Sequence, residues 1–401
     1  MMSDEVDALC ARPHRVPELV TRPIAAPIFP ATVFACDSPA QASQLLAGQT
    51  EGFVYSRDGH PNALMLAERC AELHGAQQAI VTGSGMGALG LALLSLLEQG
   101  DHIVASRQLY GRSIALFSSE ASRLGIETSL VDTCDLQSTA DAMTDRTRLL
   151  VTETIANPML RVADIAALAE LAGKHQAKLL VDNTFASPAI CQPLAWGADL
   201  VMESITKIMN GHSDVMLGLL CGRTEAWQRV PMVHTTWGLF ASPMDCWLAA
   251  RGLSTLGLRA AKASENAAAV ATMLSKPTVL SRYRDLVQVS YPGLTSHPDH
   301  QLAARQFGDR YGNVVTFTLR GGRPVAERFI AAAADRIPFC PSLGELFTTL
   351  SHPASTSHRG LTPTERLTLG IEDGTIRLSV GCEPVAGILQ SLDDAIQAAV
   401  A

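Results

Sequence analysis

The sequence predicts an α/β fold with a mostly parallel central sheet flanked by helices, followed by a smaller α+β C-terminal domain. From residue 60 onward, short β-branched or leucine-rich runs alternate with longer helical patterns, which is typical of β-α-β units. Beyond about residue 255 this alternation gives way to one long helix and short mixed strands. The chain has 401 residues, of which 47% are hydrophobic, so it can bury a large core and form two domains.

We divide the chain into three parts. Residues 1–59 are rich in proline and lack a sustained period, which predicts an extended arm in contact with another subunit. A merely flexible terminus is the alternative. Residues 60–255 are expected to form the large domain, and residues 256–401 are expected to form the C-terminal domain.

Eight strands are predicted along the chain. In the large part they are Ala79–Thr82, His102–Ser106, Arg148–Glu153, Lys178–Asp182, Leu200–Glu203 and Met216–Cys221, and in the C-terminal part Val314–Leu319 and Thr375–Val380. Residues 164–173 form an amphipathic helix that Asp164 can cap, and residues 256–274 form the long helix. Parallel strands place functional residues at their carboxyl ends, so the search for a site begins there.

A lysine follows the end of the strand Leu200–Glu203. Ser204 and Thr206 precede Lys207, and the run Gly-His-Ser-Asp follows at residues 211–214. In a confined site the ammonium form is destabilised and the amine can act as a nucleophile, while the two hydroxyl groups can bind a phosphate. A solvated surface lysine is the alternative.

An aspartate ends the neighbouring strand. Asp182 follows three apolar residues and is expected to reach the same crevice as Lys207. A carboxylate there can keep a pyridine nitrogen protonated, which makes pyridoxal phosphate an electron sink. The alternative is a helix cap or a loop turn.

A glycine-rich turn, Gly-Ser-Gly-Met-Gly at residues 83–87, joins a strand to a helix. Its backbone N–H groups and the helix dipole suit an anion. Gly83, Gly85 and Ala88 also match a dinucleotide fingerprint, but the next strand lacks an acidic residue at its end to bind a ribose. A single phosphate is therefore the better ligand, and tight packing without a ligand is the alternative.

The charge pattern argues against nucleic acid. The net charge is -8, and the basic residues are scattered rather than grouped. The acidic start has no apolar segment after it, which predicts a cytoplasmic protein. The uncharged run Ala79–Leu97 is interpreted as a strand, a glycine turn and a buried helix rather than a membrane span.

No metal site is expected. The nine cysteines include no C-x-x-C pair and no histidine spacing suited to zinc. His352 and His358 with Asp373 do not provide a tetrahedral ligand set.

Several motifs occur together in a fixed order. They are Tyr55-Ser56-Arg57, Ser84-Gly85-Met86, Tyr110-Gly111, Glu153 with Asn157-Pro158, Val181 to Pro188, Glu203 to Asp214, Ser342-Leu343-Gly344, His352 to Ser355, and Gly374 to Gly381. In these motifs and over nearly its whole length, the chain resembles the Cys/Met-metabolism pyridoxal-phosphate enzymes. That family includes cystathionine γ-synthase, cystathionine γ-lyase, methionine γ-lyase and the O-acyl-homoserine sulfhydrylases.

The resemblance implies fold type I, the aspartate aminotransferase-like fold, and pyridoxal 5'-phosphate bound to Lys207 as a Schiff base. It implies that Tyr55 and Arg57 contact the cofactor phosphate of a neighbouring subunit, and that Tyr110 stacks on the ring and transfers protons. Arg377 would bind the substrate α-carboxylate, a role that suits a planar bidentate donor. The remaining implied contacts are Ser84, Gly85, Met86, Glu153, Asn157, Asp182, Thr184, Ser204 and Thr206 for the cofactor, and Ser342 for the substrate.

The implied reaction is γ-elimination or γ-replacement on a γ-substituted L-amino acid, either a sulfur amino acid or an O-acyl-homoserine. The implied assembly is a homodimer with shared active sites, or a homotetramer of two such dimers. A β-lyase acting on cysteine conjugates or cystathionine is one alternative. An NAD(P)-binding oxidoreductase, based on the glycine turn alone, and a non-catalytic scaffold are the others.

Some positions depart from the family pattern. Phe347 stands where many cystathionine enzymes carry a glutamate, and Arg112 stands where methionine γ-lyases have a cysteine. Trp237 lies where typical methionine γ-lyases have a Lys-Asp pair, which indicates a reshaped pocket. We therefore count Arg112 and Phe347 as candidate substrate contacts and expect a specialised substrate. An Arg112 side chain that points to solvent is the alternative.

Overall fold

The computed structural model describes residue 21 and residues 23–276 and 286–400. Two sheets organise these residues. The strands of the larger sheet are β1 (Gln78–Thr82), β2 (His102–Ser106), β3 (Glu127–Val131), β4 (Thr147–Glu153), β5 (Lys178–Asp182), β6 (Leu200–Glu203) and β7 (Gly218–Gly222). Those of the smaller sheet are β8 (Leu286–Ser290), β9 (Val314–Leu319), β10 (Thr349–Ser351) and β11 (Thr375–Ser379).

The α-helices fill the connections between these strands. In the N-terminal and central parts they are α1 (Pro39–Leu46), α2 (Pro61–His74), α3 (Gly85–Leu96), α4 (Gly111–Ala115), α5 (Ala121–Arg123), α6 (Leu136–Ala142), α7 (Ile165–Lys174), α8 (Val230–Thr236) and α9 (Pro243–Leu253). Beyond them lie α10 (Leu256–Leu274), α11 (His300–Phe307), α12 (Arg323–Ala333), α13 (Pro363–Thr368) and α14 (Val385–Val400).

The larger sheet has the order β1-β7-β6-β5-β4-β2-β3. Strands β3, β2, β4, β5 and β6 run parallel, whereas β7 is antiparallel to both β1 and β6. The predicted mostly parallel sheet is therefore confirmed, with one reversed strand. The last predicted strand of this sheet begins at Gly218 instead of Met216, and β3 was not predicted.

Both faces of the larger sheet are buried. Leu150 of β4 packs in one apolar cluster with residues of α2 and α7, while its neighbours Leu149 and Val151 pack in the opposite cluster with α3. Alternate side chains of one strand thus enter two cores, which explains the continuous apolar runs in the sequence. The run Ala79–Leu97 folds as expected, into β1, a glycine turn and α3.

The smaller sheet is antiparallel, in the order β10-β11-β9-β8. It packs on α10, α12 and α14 through a third apolar cluster that includes Val270, Phe329 and Leu392. Helix α10 has the predicted bounds, and Asp164 caps α7 by accepting a hydrogen bond from the backbone N–H of Ala167 (3.2 Å). The domain boundaries themselves stay a prediction.

Within the predicted arm the structure describes residue 21 and residues 23–59, and this stretch is more ordered than the proline-rich sequence indicated, whereas residues 1–20 and 22 lie outside the described residues. Helix α1 lies within the segment predicted to be extended, and its first turn is capped by Ser38, which accepts from the backbone N–H of Gln41 (3.2 Å). Asn62 of α2 donates to the carbonyl of Pro27 (2.8 Å), and Trp247 of α9 donates to that of Ala26 (2.7 Å). In the part of the chain that the structure describes, no helix is long and apolar enough to cross a membrane.

Candidate active site

A cavity of about 260 Å³ opens at the carboxyl ends of the parallel strands. This is the edge of the sheet at which the sequence predicted a site. The predicted residues that line the cavity are Ser84, Gly85, Met86, Tyr110, Glu153, Asn157, Asp182, Thr184, Ser204, Thr206, Lys207, Ser342 and Arg377. Lys207 and Asp182 therefore share one cavity, as the predicted cofactor site requires.

Lys207 lies in the connection between the antiparallel strands β6 and β7. Its backbone N–H donates to the carbonyl of Ser204 (3.0 Å), and its carbonyl accepts from the N–H of Gly211 (2.8 Å). The ammonium nitrogen donates to Oγ of Ser342 (2.8 Å). Burial lowers the pKa of Lys207, because the charged form loses solvation. A free amine is thus more accessible near neutral pH than on an exposed lysine.

Arg259 of helix α10 fixes the chain just after this lysine. Its buried guanidinium donates to the carbonyls of Ile208 and Met209 (2.5 and 2.9 Å) and to that of Gly252 (2.9 Å). Gly344 approaches from the other side, where an added Cβ would lie 2.4 Å from the backbone nitrogen of Ile208. The lysine turn is therefore held from both sides by residues of the C-terminal part.

Three strand ends present a row of side chains to the cavity. Asp182 of β5 pairs with Glu153 of β4 on one side and with Met202 of β6 on the other. Asp182 accepts from the backbone N–H of Thr184 (3.0 Å), and burial raises its pKa to about 6. An aspartate with this pKa is mostly ionised at neutral pH, so it can stabilise a cationic ring nitrogen.

Glu153 is fully enclosed beside Asp182. Its two oxygens accept from the backbone N–H groups of Tyr110 (2.7 Å) and Asn157 (3.1 Å). Burial raises the pKa of Glu153 well above its usual value, and the charge of Asp182 adds to that effect. Glu153 thus positions the backbone of two predicted cofactor contacts.

One end of the cavity suits an anion. Ser84 caps α3 by accepting from the N–H of Gly87 (3.0 Å), while the first N–H groups of a helix have no intrahelical acceptor. A Cβ at Gly85 would lie 3.0 Å from Cβ of Ser204, so glycine permits the close approach of these segments. A helix N-terminus beside a hydroxyl group fits a phosphate. Thr206 is less available, because its hydroxyl bonds both backbone groups of Leu217.

Arg377 of β11 is buried at the other side of the cavity. Its Nη1 donates to Oδ1 of Asn157 and its Nη2 donates to the carbonyl of Ser342, both at 2.9 Å. Its Nε has no hydrogen-bond partner among the described residues. Burial lowers the pKa of Arg377 to about 10. A buried cation with a free donor is suited to bind a carboxylate.

Four predicted site residues lie outside this cavity. Tyr55 and Arg57 line a separate hollow, with the guanidinium carbon 5.4 Å from the centre of the tyrosine ring. Arg112 and Phe347 are exposed, and neither lines the cavity. Their roles stay predictions, and Tyr55 and Arg57 would have to serve another subunit's cavity.

The sequence analysis missed several lining residues. They include Met202, Phe185, Met216 and Ser357. Met202 pairs with Asp182, so its position one residue before the end of β6 was the available signal. Phe185 lies with its ring centre 5.9 Å from the guanidinium carbon of Arg377. Its position shortly after Asp182 in the sequence indicated only that Phe185 lies near the site.

An amine of lowered pKa, a carboxylate, a helix N-terminus and a buried guanidinium thus line one cavity beside a mostly parallel sheet. Together with the smaller antiparallel domain, they define a pyridoxal-phosphate-dependent enzyme of fold type I. The model of the Cys/Met metabolism PLP-dependent enzyme family matches residues 8–397. The chain belongs to this family.

Named relatives agree with this assignment. An L-methionine gamma-lyase of Fusobacterium nucleatum subsp. polymorphum is 36% identical over 380 residues, which cover 93% of each chain. An O-succinylhomoserine sulfhydrylase of Pseudomonas aeruginosa is 40% identical over 356 residues, covering 89% of this chain and 86% of that protein. The solved structure of a putative O-acetylhomoserine (thiol)-lyase from Campylobacter jejuni has a TM-score of 0.89 at 28% identity, covering 95% and 97% of the two chains.

These findings confirm the cofactor and the reaction class. The family is PLP-dependent, and the Campylobacter jejuni structure contains a pyridoxyl-lysine monophosphate. The relatives' names describe a γ-lyase and a sulfhydrylase, which agrees with the predicted γ-elimination or γ-replacement. Because the chain belongs to a PLP-dependent enzyme family, the NAD(P)-binding oxidoreductase and the non-catalytic scaffold are set aside.

Proposed function

We propose that this chain removes or replaces the γ-substituent of a sulfur amino acid or an O-acyl-homoserine, with Lys207 as the base and Arg377 as the carboxylate anchor. The observation that carries the proposal is a pair of hydrogen bonds to one residue. Ser342 accepts from the Lys207 amine through Oγ and from the Arg377 guanidinium through its carbonyl. The base and the anchor are thus held by the same short segment.

Arg377 orients the substrate. Its free Nε and adjacent Nη groups form a planar set of donors, from which a carboxylate can accept two hydrogen bonds. With the carboxylate held there, the Cα–H bond can be directed toward the amine of Lys207. Because burial lowers the pKa of Lys207, the free amine that takes the Cα proton forms more readily than on an exposed lysine. Ser342 keeps the amine in place before the transfer.

Bound pyridoxal phosphate supplies the electron sink that stabilises the resulting carbanion. Asp182 is the group that would hold a proton on the ring nitrogen, because it is buried beside the cavity and ionises at about pH 6. Ser84, Gly85 and Met86 at the start of α3 would hold the phosphate, together with the hydroxyl of Ser204.

Tyr110 is suited to the later proton steps. It lines the cavity while 43% of its surface is exposed, so it lies at the mouth. Its backbone N–H is fixed by Glu153. From there the phenol would protonate the departing γ-group. Lys207 would remove the proton from Cβ only after handing the Cα proton on to the bound cofactor, which would return the lysine to its amine form.

Each active site is proposed to need two chains. Tyr55 and Arg57 lie in a hollow of their own, away from the Lys207 cavity of the same chain. We propose that they complete the phosphate site of a partner chain, in a homodimer or a tetramer of two dimers.

Product analysis tests the reaction. The holoenzyme is incubated with O-acyl-homoserines, methionine, cystathionine and cysteine conjugates, with Lys207→Ala as the blank. We expect a four-carbon 2-oxo acid, or a γ-replaced amino acid when a thiol is added. Pyruvate as the sole keto product would instead establish β-lyase chemistry and overturn the γ assignment.

A further inference from the structure

A second row of polar side chains lies directly behind the row that lines the cavity. Glu153, Asp182 and Met202 line the cavity, and successive side chains of a strand point to opposite faces of the sheet. The next residues along the chain are Thr154, Asn183 and Glu203, all fully buried. We call these three residues, together with His74, the rear row.

Hydrogen bonds connect the rear row across the strand ends. Oγ1 of Thr154 donates to Oδ1 of Asn183 (2.6 Å), and Nδ2 of Asn183 donates to Oε1 of Glu203 (2.8 Å). Asn183 also donates from Nδ2 to the carbonyl of Cys191 (2.9 Å), so its amide group is fully used. Because Asn183 directly follows Asp182, this network fixes the backbone that carries the Asp182 carboxylate.

His74, the last residue of α2, approaches the same carboxylate. Its Nε2 lies 3.2 Å from Oε1 of Glu203, and neither side chain is accessible to solvent. The contact is close but is not aligned as a hydrogen bond. Both imidazole nitrogens and Oε2 of Glu203 therefore lack a hydrogen-bond partner among the described residues.

Such a pair is a costly way to stabilise a core. Enclosed charges lose solvation that their mutual attraction only partly returns, and two apolar residues of similar volume would often be more stable. Unpartnered buried atoms add to that cost. A role beyond packing is therefore expected for this pair.

The charge of Glu203 acts on Asp182 through a short path in the protein interior. Burial is the main cause of the raised pKa of Asp182, hydrogen bonds from Thr184 lower it, and the charge of Glu203 adds a smaller upward effect. Burial also raises the pKa of Glu203 itself, whereas His74 and Asn183 lower it. A change at position 74 therefore alters the charge of Glu203 and, through it, the field at Asp182.

Few other groups in this region titrate near neutral pH. Burial raises the pKa values of the surrounding thiols, to about 12 for Cys191, so they remain neutral. Glu153 is the other acid beside Asp182, and the charge of Arg377 partly offsets the rise in the pKa of Glu153. The remaining neighbouring thiols are Cys70 and Cys246 of α2 and α9, and Cys221 of β7.

We propose that His74 and Glu203 form a buried positioning pair which, through Asn183, orients Asp182 and sets the pH range in which Asp182 is ionised for the cofactor. His74 and Glu203 touch neither substrate nor cofactor in this proposal and act through Asp182 alone. The inference rests on the proposed role of Asp182.

Two single variants alter the pair at its two ends. Glu203→Gln removes the acid and keeps an acceptor for Asn183, so Asp182 is expected to ionise about half to one pH unit lower. His74→Gln removes the imidazole that lowers the pKa of Glu203 and keeps a donor toward it, so Glu203 carries less charge and Asp182 is expected to shift in the same direction by a smaller amount. In the double variant His74→Gln with Glu203→Gln, the shift is expected to equal that of Glu203→Gln alone, because His74 acts only through Glu203.

The measurement is the dissociation constant of pyridoxal phosphate as a function of pH, with the acid limb of kcat/KM as a second readout. His102→Gln is the matched control, because His102 is also a buried histidine of the large domain, bonded to Thr147 and Ser129. It lies at the amino end of β2 and is expected to lower the melting temperature without moving either profile.

Shifts to lower pH in both single variants, with no further shift when the two are combined, would support the proposal. Profiles that coincide with the native one, alongside lowered melting temperatures, would reduce the pair to a structural role and overturn it. If His74→Gln does not fold, the nearly isosteric Glu203→Gln variant decides alone. If instead the proposed role of Asp182 itself were wrong, the result would be distinguishable, because Asp182→Asn would leave cofactor affinity unchanged.

Discussion

The floor of the cavity and its surroundings are built differently. On the floor, Glu153, Asp182 and Lys207 lie at strand ends, and each is fixed by hydrogen bonds from neighbouring segments. Arg112 and Phe347, by contrast, lie on exposed surface outside the cavity. The sheet thus positions the groups that we propose to carry out the chemistry, whereas the residues expected to select the substrate lie on segments that can vary without disturbing the core.

Substitutions on the floor of the cavity should therefore have the largest effect on activity. Lys207→Ala removes the proposed base, so kcat/KM is expected to fall by more than about 10³-fold. The matched control is Lys262→Ala, which removes a half-buried lysine of α10 that forms an ion pair with Glu265 (3.2 Å). The control should keep native activity and folding. Equal activity in both variants would remove Lys207 from the mechanism.

Asp182→Asn should separate stability from function. Burial raises the pKa of this carboxyl from 3.8 to about 6, so the cofactor-free protein loses stability as the pH rises through that window. The amide avoids that cost and should stabilise the cofactor-free protein at pH 8 by up to about 3 kcal/mol. Activity should fall by about 10² to 10³-fold, because an amide cannot hold the ring nitrogen protonated. Thermal melts of both forms and kcat/KM are compared.

The pH profile of the native enzyme provides the matching check. Asp182 becomes protonated as the pH falls through about 6, so cofactor affinity should decline on the acid side of that value. In Asp182→Asn this decline should be absent. An unchanged decline would assign it to another group.

Substitution of Arg57 should have a smaller effect on cofactor binding, and a second chain should be able to compensate for it. Arg57→Ala is expected to weaken cofactor binding by about 2 to 3 kcal/mol, the scale of one charge-assisted hydrogen bond. Mixed with Lys207→Ala chains, it should form hybrid dimers with one intact site and recover part of the activity. Verified heterodimers without recovery would show that the sites are not shared.

Exposed Phe347 should change the substrate preference most weakly. Phe347→Glu is expected to shift the ratio of kcat/KM values between cystathionine and an O-acyl-homoserine by a few fold to about tenfold. The cofactor spectrum should stay native, because Phe347 does not line the cavity of its own chain. An altered spectrum would indicate a position closer to the ring than one chain shows.

How accurately the sequence predicted each strand depends on the burial of that strand. Strands β2, β5 and β6 were predicted with their observed bounds because they are apolar runs that the core encloses. The missed strands β3, β8 and β10 all lie at sheet edges. Strand β3 is partly exposed, which weakens its hydrophobic pattern. Strand β10 is buried, but it has only three residues and two of them carry hydroxyl groups.

The same holds for the site. Residues at strand ends and in motifs were found, because sheet geometry or family resemblance places them locally. Contacts made by distant segments, such as Ser342 with Lys207 or His74 with Glu203, depend on tertiary packing. Hydrophobic periodicity and motif spacing do not indicate which two polar residues, more than a hundred positions apart in the sequence, will contact each other.

The hydrogen bonds of Arg259 have a practical consequence for experiments on fragments of this enzyme. Its guanidinium lies beyond the predicted boundary at residue 255 and ties down the two carbonyls that follow Lys207. A fragment that ends at this boundary would keep every strand of the larger sheet, yet release the turn bearing the reactive amine. Truncated or chimeric versions would therefore need to retain helix α10 to preserve the lysine's alignment.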